Sequence, residues 1–297
     1  MIDEADILAM LPARDPNGHK GDFGHVLSVC GSERYQGAAV LAALGAVHSG
    51  AGLVTAAFPR AVYAPVASAL TVTPLLPLPS NRQGTLRLAA MQGLREALPG
   101  KDAVLLGCGL GLNADTIALT ELLLKEIKAP LVLDADALNA VARINSSDSH
   151  MDGHDDVLRR RACPCLVLTP HPGEMSRLCG YSVEEIQANP REIARQFVRK
   201  WGVVLVLKGA QTIVAGEDEL WPCPLPPNSG LAKGGSGDLL AGIIVSLLAQ
   251  KLPAYHAAVC GVYLHALAAA RAIKHLSPSG MTALDCVDEL KELRVES

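Results

Sequence analysis

Aromatic residues are scarce in this chain: Phe, Tyr and Trp together make up 3% of its 297 residues. With 49% hydrophobic residues overall, the core must be built from Ala, Val and Leu, as in helices packed closely on a parallel sheet. Charge is sparse too, at 19% of residues with a net charge of −4 and no broad basic region. This excludes nucleic acid as a main partner. The run Arg159, Arg160, Arg161 reads as a solvated face. No CxxC pair occurs among the eight cysteines, and Cys163-Pro-Cys165 is too closely spaced for a zinc knuckle. Most cysteines sit in apolar surroundings, as small buried hydrophobes and reduced thiols. The acidic start MIDEADILAMLPARD is not a secretion signal, so a cytoplasmic protein is expected.

No long span without interruption is present either. Ala38 to Phe58 carries no Asp, Glu, Lys or Arg over 21 residues, long enough to cross a bilayer. Gly50 and Gly52 divide it, however, so it reads as a buried helix, a turn and a strand, and no membrane contact is expected. The helical part, Ala38 to Val47, is apolar all round, which fits either core or subunit contact.

Strand and helix signals alternate. HVLSVC, LVTAAF, DAVLLG, PLVLDA, CLVLT, VVLVLK and QTIVAG read as strands. Between them lie helical segments from Gln36 to Ser49 and at LRLAAMQGLREAL, ADTIALTELLLKEI and REIARQFVRKW. The pattern predicts an α/β fold with a mainly parallel central sheet flanked by helices on both faces, in one domain spanning 1–297. VVLVLK and QTIVAG are too close for a crossover and predict an antiparallel hairpin. From Gly237 onward, two or three helices are expected. The polar stretch NSSDSHMDGHDD (145–156) reads as a surface loop, with His150, Asp152 and His154 solvated rather than metal-bound.

Polar clusters follow five strands: GSERYQG, CGLGLN, DADALN, TPHPGE and KGAQT. Each has a structural explanation by itself: a glycine turn, Asp136 as a helix cap, Pro172 in a first turn, His171 shaping a loop, Lys208-Gly209 turning a hairpin. Together they point to one pocket at the carboxyl ends of the strands. A sixth cluster, NSGLAKGGSGDLLAGI (228–243), places Gly230, Gly234, Gly235 and Gly237 ahead of an apolar helix, with Asp238 just inside it. Glycines there let backbone N–H groups close on an anion where the helix end is partly positive. A helix cap needs the acid but not the glycine run, so a transferring phosphate with Asp238 as base is the stronger reading. The chain holds no G-x-x-x-x-G-K-[ST] loop, and GCGLG (107–111) does not fit G-x-G-x-x-G, which disfavours a nicotinamide dehydrogenase.

GGSGD ahead of a helix resembles the anion-hole and base motif of ribokinase-like kinases. Within them the chain resembles the ADP/ATP-dependent NAD(P)H-hydrate dehydratases. Seven stretches carry the likeness in order: HKGDFGHVLSVCGS (19–32), YQGAAVLAALGAVHSGAGLVT (35–55), VLDADALN (132–139), LTPHPGEMSRL (168–178), VLKGAQTIV (206–214), NSGLAKGGSGDLLAGII (228–244) and SGMTALD (279–285). Two departures stand out: Ala232-Lys233 where Ala-Thr is usual, and extra length at 145–162. Because the motifs begin at about residue 19, the epimerase domain often fused ahead of this one is expected to be absent.

The resemblance implies a lyase that repairs hydrated NADH and NADPH, acting on the S-form hydrate with ADP and giving AMP and phosphate. It implies Asp238 as catalytic base; Ala38, Gly109, His171 and Asp238 around the hydrate; and Lys208, Gly209, Ala210, Gln211, Thr212 and Gly237 around the nucleotide. Mg2+ on the phosphates is implied, with Asp134 and Asp136 as candidates to hold it through water. A homo-oligomer is implied, with a tetramer as one form. Three alternatives remain: a vitamin-alcohol kinase of the same fold, a nucleotide-binding regulator without turnover, and ATP in place of ADP as donor.

Overall fold

The computed structural model describes residues 2–147 and 156–293. His150, Asp152 and His154 fall outside the described residues. The elements run α1 (Glu4–Met10), β1 (His25–Val29), α2 (Gln36–His48), β2 (Leu53–Pro59), α3 (Tyr63–Ala69), β3 (Leu75–Leu78), α4 (Ala90–Ala97), β4 (Ala103–Leu106), α5 (Ala114–Glu126), β5 (Leu131–Leu133), α6 (Asp136–Ser147) and β6 (Leu166–Leu168). They continue through α7 (Pro172–Cys179), α8 (Val183–Ala188), α9 (Pro190–Trp201), β7 (Val204–Leu207), β8 (Ile213–Ala215), β9 (Leu220–Pro222), α10 (Ser236–Ala249), α11 (Ala254–Ala272) and α12 (Ala283–Glu292).

The strands form one sheet ordered β3-β2-β1-β4-β5-β6-β7-β8-β9. Pairings through β7 are parallel, while β8 and β9 are antiparallel. All seven strands read from the sequence are present, as is the β7–β8 hairpin. Two strands escape that reading, and both are edges containing proline: Pro77 in β3 and Pro222 in β9. Proline cannot donate to a ladder, so an edge is where it is tolerated, and there it blunts pairing with another sheet. The short helix α1, capped by Asp3, was not apparent in the sequence either. One expectation fails at its boundary: Asn145 to Ser147 continue α6, so the polar loop starts later than 145.

Successive strand residues alternate between two cores. Val26, Leu105, Val132, Val167 and Val206 pack with α2, α10 and α11. Leu27, Leu106, Leu133, Leu168 and Leu205 pack with α4, α5, α6 and α9. The uncharged stretch from Ala38 resolves into α2, a turn and β2, and among the described residues no helix is long and apolar enough to cross a membrane.

The α2–α10 contact explains the small residues. A Cβ on Gly242 would lie 2.2 Å from the Ala42 carbonyl oxygen, and one on Gly45 would lie 2.5 Å from that of Leu239. The two helices touch backbone to backbone, with α2 enclosed also by β2, α3 and α12. Core contact therefore accounts for much of the apolar circumference of α2.

Candidate active site

The strands followed by polar clusters are β1, β4, β5, β6 and β7, and these five lie side by side in that order. Parallel pairing brings their carboxyl ends to one rim. The loop after β4 is fixed at two points by backbone geometry. Gly107, at φ +133°, follows β4 with no room for a side chain: a Cβ would lie 1.9 Å from the Asp134 carbonyl oxygen. Gly109, at φ +62°, presses on Tyr35 and Ala38, and Ser32 Oγ donates to its carbonyl at 2.7 Å. Ala38 and Gly109 are thus neighbours, and they contribute smallness and backbone rather than side-chain chemistry.

Asp134 is the centre of the polar network. It follows β5, is 1% exposed, and precedes Ala135, whose φ of +49° is strained for a residue with a side chain. Its Oδ1 accepts from Lys208 Nζ at 2.7 Å and from Thr169 Oγ1 at 2.7 Å. Burial alone would raise the Asp134 carboxyl, but Lys208, Thr169 and Cys108 outweigh it and hold it below its usual range. Burial likewise works against the Lys208 charge, yet Asp134 and Glu174 keep its pKa above the ordinary lysine value. The pair is ionised on both sides.

Asp238 lies in the first turn of α10, two residues after the opening Ser236. It is not the cap: Gly235, with φ +95°, occupies that position, and no side chain caps the helix. Ligand atoms of Asp238, Asp134 and Cys108 all lie within 4.8 Å of one another. Burial, then the negative charge of Asp134, raises the Asp238 carboxyl to about 7, against the pull of Lys208 and a hydrogen bond from Cys108. A carboxylate poised near neutrality suits a general base. The Cys108 thiol, hydrogen-bonded with Cys30 and buried, has a strongly raised pKa and stays protonated.

Beside this cluster opens a cavity of about 730 Å³. Lys208, Gly209, Ala210, Thr212, Gly237 and His171 all line it, as do Gly234 and Ser236. Gln211 does not; its side chain turns to the Cys223 carbonyl at 3.4 Å. Its lining also includes the apolar side chains of Leu225, Leu231, Leu240 and Val262. A lysine and a helix start in one cavity with apolar side chains suit the phosphates and the base of a nucleotide.

Several participants were not singled out in the sequence. Thr169 fixes Asp134 and Cys108 bridges the two carboxylates, but a threonine or a cysteine in a loop carries no such signal. Glu174 is 5% exposed and stands beside His171 and Lys208; the run HPGE was its trace. His265 lines the cavity from α11 with its Nε2 buried and without a protein partner. Burial and then Lys208 lower its pKa to about 4, so the ring is neutral. Lys233, the departure from the usual motif, donates to the carbonyls of Ser279 and Met281, 2.5 Å each. It fastens the glycine loop to the turn before α12.

Gly237 gives a test of the phosphate cradle. A Cβ there would lie 3.1 Å from Lys208 Nζ and 3.7 Å from Asp134 Oδ2. The backbone is helical, so Gly237→Ala should fold and keep its melting temperature, because Ala is favoured over Gly by up to about 1 kcal/mol in a helix. The methyl group would nevertheless displace the lysine and enter the anion path. Turnover should fall on the order of 100-fold, as misplacement by about 1 Å does. An Ala variant with full activity would show that the glycine serves chain geometry alone.

Of the two candidate magnesium holders, Asp134 fits better. Its Oδ2 accepts from the Cys108 thiol at 3.6 Å and it clusters with Asp238 within 4.8 Å, whereas Asp136 is outside that cluster and its Oδ2 accepts the Gly111 N–H at 2.8 Å. Carboxylate oxygens at this depth suit a hard, partly hydrated cation.

Comparison with known proteins places the chain. The NAD(P)H-hydrate dehydratase family profile matches residues 26–292. A bifunctional NAD(P)H-hydrate repair enzyme of Moorella thermoacetica is 42% identical over 282 residues, covering 95% of this chain and 51% of that protein. This chain thus spans about half the length of such bifunctional relatives. The ADP-dependent (S)-NAD(P)H-hydrate dehydratase of Neisseria meningitidis serogroup B is 38% identical over 268 residues, covering 86% of this chain and 80% of that one. The structure of the Bacillus subtilis ADP/ATP-dependent NAD(P)H-hydrate dehydratase, co-crystallised with ATP and Mg2+, superposes with a TM-score of 0.79 at 30% identity over 98% of this chain and 95% of that chain. With an ordered motif set, a glycine-lined helix start and a matching profile over nearly its whole length, the chain belongs to the NAD(P)H-hydrate dehydratase family.

Proposed function

We propose that the protein restores NADH and NADPH from their S-form hydrates, using ADP as phosphoryl donor and releasing AMP and phosphate. The observation that carries this reading is Asp238, a carboxyl raised to about 7 at the start of α10, next to a cavity lined by Gly234, Gly237 and Lys208. The Neisseria relative is named for the same activity.

Hydroxide is a poor leaving group and phosphate a good one, so phosphorylation makes the dehydration feasible. Asp238 takes the proton of the ring hydroxyl as its oxygen attacks the terminal phosphorus of ADP, and AMP departs. The backbone N–H groups at Gly234 to Gly237 and the positive end of α10 hold the developing negative charge. Phosphate then leaves the ring carbon, helped by the ring nitrogen lone pair. The departing phosphate takes a proton from the neighbouring carbon, whose C–H electron pair becomes the restored ring double bond. Lys208 orients the nucleotide phosphates from the far side of Asp134. Mg2+, when bound, would neutralise phosphate charge, with Asp134 holding it through water. The apolar side chains of the cavity take the base of the nucleotide. The reading includes a cytoplasmic homo-oligomer acting only on these small molecules.

The deciding experiment incubates the protein with hydrated NADH and ADP. Recovery of reduced-nicotinamide absorbance with release of one AMP and one phosphate is expected. Accumulation of a stable phosphorylated hydrate would make the protein a kinase instead, and no consumption of ADP would overturn both.

A further inference from the structure

His171 caps α7, an uncommon task for histidine. Its Nδ1 accepts from the N–H groups of Gly173 at 3.0 Å and Glu174 at 3.4 Å. Two backbone donors on one ring nitrogen leave that nitrogen no place for a proton. The ring lies against Gly173, where a Cβ would come within 2.9 Å of Cε1. The other nitrogen, Nε2, stands 3.4 Å from Glu174 Oε1. Glu174 is itself fixed: its Oε2 accepts the His171 N–H at 2.9 Å and lies 4.0 Å from Lys208 Nζ. Lys208 and Arg177 also face the ring with positive charge, and Asp134 with negative.

We infer that the first turn of α7 locks His171 as a neutral Nε2–H imidazole, with Glu174 as the positioning residue that holds this turn through the His171 N–H, so that the histidine meets the hydrate only as a hydrogen-bond donor, an acceptor oxygen of the ligand replacing the Glu174 contact at Nε2. Protonating Nδ1 would turn a donor toward two N–H groups and break the cap, so the ring cannot serve as a base without unfastening α7. Burial, then Lys208 and Arg177, lower its pKa and agree with the uncharged state. The identity of the ligand rests on the function proposed above; the lock itself does not.

The test begins with 15N-histidine-labelled protein and no ligand. The His171 signals are assigned as those missing from His171→Asn among nine histidines. Two-bond proton–nitrogen spectra should show Nε2 protonated and Nδ1 bare. Asn is a strong N-cap, so His171→Asn should keep the melting temperature while removing the ligand donor. Its KM for hydrated NADH should rise about tenfold, as expected for one lost hydrogen bond, with the KM for ADP changing less. Glu174→Gln keeps both backbone donors on Nδ1 and so should keep the Nε2–H tautomer, but by weakening the grip on the turn that aims the ring it should raise the hydrate KM in the same direction with little change in kcat. A wild-type ring protonated on Nδ1, or a Glu174→Gln variant with a wild-type KM for the hydrate, would overturn the inference. If hydrated NADH is not turned over at all, the wild-type spectrum still decides the lock, and only the ligand must be sought again.

Discussion

Asp238→Asn should abolish turnover and stabilise the protein at the same time. Loss of a general base costs about 10²- to 10⁴-fold in rate. The stability change follows from the carboxyl held near 7 in the fold against 3.8 in an open chain. A raised acid is penalised when ionised. The penalty is absent below about pH 4, grows between pH 4 and 7, and is constant above. At pH 8 the wild type carries it in full and the Asn variant does not. Each pKa unit corresponds to about 1.4 kcal/mol, so the gain is on the order of a few kcal/mol. The lost attraction of an anion to a helix start, about 0.5 kcal/mol, is smaller. The variant should melt several degrees higher at pH 8 and near the wild type at pH 4, by calorimetry. In the wild type, kcat/KM should fall below about pH 7. An Asn variant that melts lower than the wild type at pH 8 would mean that favourable partners of the Asp238 anion outweigh its burial.

Lys208→Ala should have two separable effects. The side chain lines the cavity, so nucleotide affinity should drop in a calorimetric titration with AMP or ADP while hydrate affinity changes less. The same change also strands Asp134, 1% exposed and paired with Lys208 at 2.7 Å. Removing one partner of a buried pair typically costs about 3–5 kcal/mol. The double variant Lys208→Ala/Asp134→Asn tells the effects apart. A neutral amide still accepts from Thr169 Oγ1, so much of the stability should return, whereas nucleotide affinity should not. Should Lys208→Ala alone melt like the wild type, the lysine is held by something other than Asp134.

The sequence announced the fold through its alternation of apolar runs and through the Gly50–Gly52 turn that ruled out a membrane span. Edge strands β3 and β9 stayed hidden because proline argues against a strand unless its position in the sheet is known. At the site, glycine loops and strand-end acids were legible because their residue types are costly anywhere else. Roles were less legible than positions. Lys208 reads as a phosphate contact, yet its nearest partner is Asp134, 74 residues away. Asp238 reads as a cap or a base, and the placement of Gly235 at the cap position removes only the first of these. Lys233 is a visible anomaly whose explanation lies at Ser279 and Met281, in another loop. Pairings of this kind depend on long-range topology, which single-chain patterns do not encode.

The glycine contact between α2 and α10 reaches further than packing. Ala38 stands on the first turn of α2, and Asp238 with the glycine loop stands on the first turn of α10. No rotatable group separates the two helices where Gly45 and Gly242 meet. The spacing between Ala38 and Asp238 is therefore set by main chain against main chain, like a caliper whose jaws are cast in one piece. It also follows that a methyl group added at Gly242, some 4 residues along α10 from the base, should alter the rate while touching neither ligand.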